Sequence, residues 1–315
     1  MAAQHTEILI TAPGGVAKWR AKSGRALAGI GWFARHKPLG FLSAVIIIGL
    51  IVIAVFAPLV SPYHYKHVFL TPNARGPSWH HWLGTDNLGR DEMSRVFYGA
   101  RVSLYVGFLS VLFSTAVGTV IGLVSGFFEG LFDLLAQRFI DALQAFPALI
   151  LALGILAVRG PSQNTVLFVI GIVLIPGTAR IVRGAVLSTK QNVYVDSARA
   201  VGASNTRIMF RHILPNILAP IIVQSSVLLG GAILFEASLS FLGAGVSVTT
   251  PSWGSMISGR PGTGVQSSID FRSFPWLAIV PSAAISMAVF SFNLLGDAVR
   301  DILDPRLRGG GGRIM

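Results

Sequence analysis

Residues 102–128 read VSLYVGFLSVLFSTAVGTVIGLVSGFF, a run without a charged side chain. About 20 apolar residues in a helix span the hydrocarbon core of a bilayer, so this stretch predicts a transmembrane helix. Small residues recur along it at every fourth position, namely Ser110, Ser114, Gly118, Gly122 and Gly126. Because such a stripe lets another helix approach closely, the sequence predicts a packed bundle of membrane helices.

Four further stretches have the same uncharged character, and they lie at residues 39–60, 160–179, 213–235 and 274–296. A sixth, at 142–158, is shorter, follows Asp141 and contains Pro147. We therefore predict an all-α membrane protein with six transmembrane helices, of which the helix at 142–158 is the least regular.

The composition agrees with a chain that lies in lipid. The sequence is 52% hydrophobic and only 12% charged, and its mean hydropathy is +0.66, whereas soluble domains carry roughly 25% charged residues. The absence of cysteine excludes disulfides, thiolate catalysis and cysteine-ligated metals. A net charge of +12 in a soluble protein would suggest nucleic-acid binding. Here the basic residues flank apolar runs, as topology signals do, so we expect no nucleic-acid partner.

The distribution of lysine and arginine predicts that both termini are cytoplasmic. In that orientation 17 of the 25 basic side chains face the cytoplasm, as the positive-inside rule requires. The predicted organisation is a cytoplasmic tail at 1–38, a membrane domain at 39–297 and a second cytoplasmic tail at 298–315. Within the membrane domain we place external loops at 61–101 and 246–273 and a long cytoplasmic loop at 184–215.

The first tail contains a basic segment at 16–36 that predicts an amphipathic helix on the membrane surface. Its apolar side chains near one face are Trp19, Leu27, Ile30 and Phe33, with Lys18, Lys22 and Arg25 beside them. A disordered basic tail is the alternative. The apolar run at 39–60 is too long for the core of a cleavable signal peptide, so we expect no such peptide.

Nucleotide-binding and catalytic motifs do not occur in the sequence. It has no G-x-x-x-x-G-K-[ST] loop, no H-E-x-x-H helix and no G-x-S-x-G elbow. We therefore predict a chain that is not an enzyme and holds no cofactor, so that any ATP chemistry must come from another chain. The predicted external loop at 61–101 contains His64, His67, His80 and His81. Imidazole suits nickel and zinc, but no carboxylate or spacing supports a site, and we predict none.

Residues 81–101 read HWLGTDNLGRDEMSRVFYGAR. Gly84 and Gly89 are turn formers, and Asp91 can cap a short helix in which Arg95 lies one turn on. The favoured interpretation is an interfacial helix that leads into the second span. Direct contact with a substrate is the alternative.

Glu236 is the sole acidic residue between Asp196 and Asp270 and lies in the apolar run ILFEASLSFLG. In a helix that starts near Pro215 and rises about 1.5 Å per residue, it lies roughly 30 Å along, near the outer interface. An intramembrane carboxylate is a functional candidate, here for a gate or a substrate pathway together with Ser240. The alternative is a structural carboxylate bonded to Ser240 or to the backbone.

The most informative stretch, at 194–220, reads YVDSARAVGASNTRIMFRHILPNILAP. Asp196, Ser197 and Ala198 begin a helix that Gly202 ends. A second short helix, predicted at 206–214, follows a cap at position 204 or 205.

The same loop carries two adjacent apolar residues, Met209 and Phe210, just before Pro215, where a membrane helix begins. Apolar side chains on a short cytoplasmic loop must face either the helix bundle or a partner protein.

This loop resembles the EAA motif of ABC importer permeases, E-A-A-x3-G-x9-I-x-L-P. The motif stands here as Asp196-Ser197-Ala198, then Gly202, then Leu214-Pro215, with the glycine-to-proline spacing kept. Asp replaces Glu, Ser replaces Ala, and His212 occupies the usual Ile position.

Three other segments, LGTDNLGRDEMSRVFYGAR, ILFEASLSFLGAG and PSWGSMIS, are similar to the dipeptide/oligopeptide/nickel branch of these binding-protein-dependent inner-membrane components. They resemble its subunit type with the LGTDxxGRD external loop. We expect the resemblance to cover the chain from about residue 40 to residue 300, on both sides of these segments.

The resemblance implies a type I ABC importer fold in the cytoplasmic membrane of a prokaryote. It implies a second homologous permease subunit, two cytoplasmic ATPase subunits that bind ATP and Mg²⁺, and an extracytoplasmic solute-binding protein. The EAA-like loop would be the coupling helix, which assigns residues 196–202 and the following turn to ATPase docking. The expected substrates are di- or oligopeptides, with nickel chelates or glutathione as alternatives.

Three other classes of membrane protein are alternatives to a permease subunit. An ion-coupled secondary transporter often shows inverted repeats and paired intramembrane charges, whereas Glu236 is the single candidate here and no repeat is visible. A membrane enzyme needs a catalytic constellation, which the sequence lacks. The third class is a structural membrane subunit.

Overall fold

The computed structural model describes residues 31–68, 74–245, 250–258 and 274–303, and these are almost entirely helical. The numbered helices are α1 Pro38–Val55, α2 Ala57–Val60, α3 Glu92–Phe128, α4 Gly130–Ala145, α5 Ala148–Arg159, α6 Gln163–Lys190, α7 Val193–Ala200, α8 Asn205–Arg207, α9 Leu214–Phe241, α10 Trp253–Ile257 and α11 Trp276–Leu303. Within these ranges, five units are long and apolar enough to cross a membrane, namely α1, α3, α6, α11 and the continuous helix Asn205–Phe241. The predicted all-α membrane fold is thereby confirmed.

The sixth predicted span is a bent pair rather than the single helix expected at 142–158. Helices α4 and α5 meet at 87°, on either side of Phe146 and Pro147. Phe146 is extended, with ψ at 134°, because a proline ring disfavours the helical conformation in the residue before it. If the pair crosses the membrane as one unit, the chain has six spans.

Helices α3 and α6 approach closely along the predicted stripe of small residues. A Cβ atom on Gly122 would lie 2.5 Å from the carbonyl oxygen of Ala179, and one on Gly126 would lie 3.0 Å from that of Arg183. Ser110, further along the stripe, donates a hydrogen bond to the carbonyl of Leu167 at 2.9 Å. The stripe is therefore a helix contact, as its spacing predicted.

Helix α3 starts earlier than expected. The external loop was predicted to extend to residue 101, but α3 begins at Glu92 and is continuous to Phe128. The interfacial helix and the second span are thus one helix, because nothing between them interrupts the backbone ladder. Asp91 caps it, since its carboxylate accepts from the backbone N–H of Ser94 at 2.8 Å. We call the two ends of the bundle the Asp91 end and the Gly202 end.

The cytoplasmic loop predicted at 184–215 is shorter, because α6 continues to Lys190. The second short helix predicted at 206–214 is also not separate, since α8 and the π-helical segment Ile208–Ile213 continue directly into α9. Pro215 explains the π-helical turn, because it has no N–H and its ring crowds the carbonyl four residues earlier. The preceding N–H, of Leu214, bonds five residues back to Met209.

Three ion pairs tie α4 to α6 at the Gly202 end. Arg183 binds Asp133 through two hydrogen bonds, of 2.7 and 2.5 Å. The flanking pairs are Lys190–Glu129 at 2.7 Å and Arg180–Asp141 at 2.6 Å. Since Ile140 is the one residue of α4 that is fully buried, charge pairing rather than apolar packing holds this helix to the bundle.

Some predictions fall outside the described residues. The amphipathic segment at 16–36 is described only at 31–36, which are helical. The external loop at 246–273 is described only at 250–258, where it contains α10. The second tail is described to residue 303, inside α11.

Candidate functional site

The segment from Val193 to Ile213, which we call the 193–213 element, forms a helix, a turn and a second helix at the Gly202 end. Gly202 adopts a left-handed conformation, with φ at +79°. Its N–H bonds to the carbonyl of Arg199, and the N–H of Ala203 bonds to that of Ala198. These two bonds form a Schellman motif, which favours glycine at this position. Ser204 then caps the second helix by accepting from the N–H of Arg207 at 3.3 Å.

One face of the 193–213 element is packed against the bundle. Its five buried members are Val195, Ala198, Ile208, Met209 and Ile213. They contact the ends of three long helices, through Leu123 and Phe127 of α3, Val182 and Val186 of α6, and Ile217 and Ile221 of α9. The element is therefore anchored to the spans, so that a force applied to it reaches α3, α6 and α9.

Away from the bundle, the element exposes several large apolar side chains among polar and charged ones. Val193 and Val201 are 81% and 83% exposed, and Phe210 is 56% exposed, with Tyr194 beside them. Met209 and Phe210, the two adjacent apolar residues singled out in the sequence, therefore have different environments. Met209 is 6% exposed and faces the bundle, whereas Phe210 faces away from it. Val193, the first residue of α7, and Val201, the residue that follows its end, were not predicted.

The other residues of the predicted motif are divided between the exposed and the buried surface of the element. Asp196 pairs with Arg199 at 3.4 Å, and Ser197 donates to the carbonyl of Val193 at 2.9 Å. Ala198 belongs to the buried face. Leu214 is half-buried and Pro215 is exposed, where α9 begins.

Glu236 lies inside the bundle and has no exposed surface. Its carboxylate accepts from the hydroxyl of Ser240 at 2.7 Å and from that of Ser103, in α3, at 2.8 Å. Ser103 also accepts from the backbone N–H of Trp253, in α10, at 3.3 Å. The predicted Ser240 contact is present, while Ser103 was not foreseen. A carboxylate enclosed in this way joins three helices and does not line an open path in this conformation.

The stretch at 81–91 forms a polar network above α3. Asp91 accepts from the imidazole of His81 at 2.9 Å as well as capping the helix. Asp86 pairs with Arg90 at 2.7 Å and with Arg95 at 3.5 Å. These contacts give His81 and both aspartates structural partners. Among the described residues no three side chains of the metal-binding types converge.

Comparison with known proteins places the chain in a family. The model of the binding-protein-dependent transport system inner membrane component matches residues 118–309. The model of the N-terminal TM domain of oligopeptide transport permease C matches residues 33–77.

Similar chains occur in several bacteria. The dipeptide transport system permease protein DppC of Alkalihalophilus pseudofirmus is 42% identical over 274 residues, which cover 87% of this chain and 88% of that protein. The glutathione transport system permease protein GsiD of Escherichia coli is 42% identical over 276 residues, which cover 87% and 89%.

The fold also occurs in a solved structure, that of the MetNI methionine ABC transporter in inward-facing conformations. The TM-score is 0.54 at 16% identity, over 67% of this chain and 98% of that one. This likeness concerns the fold alone and agrees with the type I importer architecture that the sequence predicted. The chain therefore belongs to the binding-protein-dependent transport system inner membrane components, the permease subunits of ATP-binding-cassette importers, and is a multi-pass protein of a prokaryotic inner membrane.

Proposed function

We propose that this chain forms half of the translocation pathway of a peptide importer and that its 193–213 element docks on a separate ATPase subunit. The proposed coupling role is supported by the different environments of the two sides of this element. One face is anchored to three membrane helices, and the other presents Val193, Val201 and Phe210 to solvent. Exposed apolar side chains on an ordered element mark a protein contact.

The remaining parts of the proposed assembly follow from the family. A second homologous permease subunit would complete the pathway, two cytoplasmic ATPase subunits would bind ATP and Mg²⁺, and an extracytoplasmic solute-binding protein would deliver the substrate. This chain would contribute no ATP site, which agrees with the absence of a phosphate-binding loop from its sequence. Glu236 and Ser240 would have a structural role near the external end of the pathway.

Di- or oligopeptides are the proposed substrates, because one set of relatives is named for dipeptide transport. Glutathione, itself a peptide, is supported by the second set. A nickel chelate remains the alternative within the same machinery.

The test is reconstitution of the full complex in lipid vesicles, with ATP inside and binding protein outside. We expect uptake of a radiolabelled dipeptide to require ATP hydrolysis, both permeases and the binding protein. Uptake driven by an ion gradient without ATP would overturn the proposal.

A further inference from the structure

At the Asp91 end, two arginines that line cavities have side chains without a partner among the described residues. Arg101 of α3 and Arg159, the last residue of α5, make no ion pair or hydrogen bond within the described part of the chain. The acidic side chains described at this end do not neutralise the positive charge of these two arginines. Asp86 and Asp91 are bonded within the 81–95 network, and Glu92 and Glu236 are buried. Within the part of the chain that the structure describes, the uncompensated charge of this end is therefore positive.

Each arginine lines a cavity. Arg101 borders one of about 400 Å³, together with Tyr65, Tyr98 and Tyr105. Arg159 borders another of about 510 Å³, together with Asn164 and Phe168. Both volumes lie within the range of small-molecule sites, about 300–1,000 Å³.

The two cavities flank the same helix start. Gln163 of α6 lines the first, and Asn164 and Thr165 line the second. The aligned peptide dipoles of α6 add positive potential at this point. The two arginines and the start of α6 therefore form one electropositive region.

The first cavity also offers hydroxyl donors. Tyr98, Arg101 and Tyr105 lie on one face of α3, because they are three and four residues apart. The ring of Tyr65 lies 4.7 Å from that of Tyr98, which fixes both. A guanidinium beside phenolic O–H groups suits a carboxylate, which accepts charge-assisted hydrogen bonds in a planar, two-pronged geometry.

We propose that each of these two cavities can capture the carboxylate group of an entering peptide, with Arg101 and Arg159 as the binding cations. The inference rests on the proposed function and on the predicted topology, which places the Asp91 end outside. Arginine beside tyrosine also occurs where a helix meets lipid headgroups. Because a peptide arrives through water, the test must separate water-filled cavities from lipid-facing ones.

The cysteine-free chain provides that test. In the assembled complex in nanodiscs, Gln163→Cys places a thiol beside Arg101, and Asn164→Cys places one beside Arg159. Each variant is first shown to assemble with its partner subunits in the purified complex. The thiol is then treated with an anionic and a cationic methanethiosulfonate reagent of similar size, and the ratio of the two rates is measured.

We expect the anionic reagent to be favoured at both positions. Arg101→Gln should lower the rate ratio about threefold at position 163, and Arg159→Gln should do so at position 164, because a nearby charge changes the local concentration of each ion. Arg75→Gln, which removes an exposed arginine outside both cavities, should change neither ratio. Alanyl-alanine should slow both reactions, whereas alanyl-alanine amide should not.

Two results would overturn the carboxylate site. One is reaction of both thiols only with a membrane-permeant reagent, which would show that the cavities face lipid. The other is a rate ratio that is insensitive to Arg101 and Arg159. Failure of the proposed function is distinguishable, because the parent complex would then show no ATP-driven peptide uptake.

Discussion

Ser103 of α3 donates a hydrogen bond to Oε2 of Glu236, in α9, at 2.8 Å, although the two residues are 133 positions apart. Ser240, one turn beyond Glu236, donates to Oε1 at 2.7 Å. Both carboxylate oxygens are thus bonded inside the protein, and the pairing holds α3 against α9 where α10 also packs.

Glu236→Gln should destabilise this junction by about 1–3 kcal/mol, the usual cost of leaving a buried polar group unpaired. The substituted amide nitrogen accepts no hydrogen bond, so one serine hydroxyl loses its acceptor. The measurement is the thermal denaturation of the purified complex in detergent. The control is Asp297→Asn, which neutralises an exposed carboxylate that has no hydrogen bond or ion pair within the described residues. Unchanged melting together with abolished uptake would instead favour a gating role.

Gly122→Ala should disrupt the contact between α3 and α6. The added Cβ would meet the carbonyl oxygen of Ala179 at 2.5 Å, so the helices must separate, at a typical cost of about 1–3 kcal/mol. Gly184→Ala is the matched control, because a Cβ there meets nothing within 4 Å. Equal yields and melting temperatures for the two variants would contradict the close approach.

Features that depend on local sequence were predictable here. Long uncharged runs identified the spans, because lipid demands length and apolarity. Gly202 and Asp91 were recognisable as a helix end and a helix start, because each acts through its neighbours in the chain.

Features that depend on distant residues were not predictable. Ser103 is unremarkable until the fold brings it to Glu236. Met209 and Phe210 are adjacent and apolar, so the sequence could not say which one the bundle would bury. The choice depends on the packing of Met209 against α3 and α6, which the fold alone brings to it.

Asp133→Asn should loosen α4 from α6. Asp133 is largely buried and accepts two hydrogen bonds from Arg183, and bonds to a charged group contribute about 1.5–3 kcal/mol. We expect faster proteolysis near residues 129–141 in the purified complex. The combined exchange Asp133→Arg with Arg183→Asp should restore part of the protection. If Arg138→Gln, which removes a highly exposed arginine of α4, has the same effect, the ion pair is not the cause.

The predicted topology places Ser78 outside and Ser188 in the cytoplasm. Both side chains are exposed, so a thiol introduced at either position can react with a reagent that reaches it. In intact cells an impermeant maleimide should label Ser78→Cys, whereas Ser188→Cys should be labelled only after the membrane is permeabilised. The opposite pattern would invert the topology and move the 193–213 element to the external face.

Phe210→Asp should uncouple ATP hydrolysis from transport without unfolding the subunit. Phe210 is exposed while its neighbour Met209 anchors the 193–213 element. The substitution therefore alters only the exposed surface that we propose docks on the ATPase. Loss of one buried aromatic contact costs about 1.5–3 kcal/mol, which corresponds to roughly a 10- to 150-fold weaker attachment of the ATPase. Thr206→Asp is the control, since it adds the same charge on an exposed residue without removing apolar area.

Gly202→Val tests the geometry of the same element. A Cβ at this position meets nothing within 4 Å, so the effect must come from the left-handed backbone, which a β-branched residue disfavours. Strain at this turn should reorient α7 relative to α8 and so change the position of Val201 relative to Phe210. ATPase rate and dipeptide uptake are measured in parallel on reconstituted complexes that contain equal amounts of permease. Wild-type, substrate-coupled uptake in both Gly202→Val and Phe210→Asp would falsify the assignment of the 193–213 element to coupling.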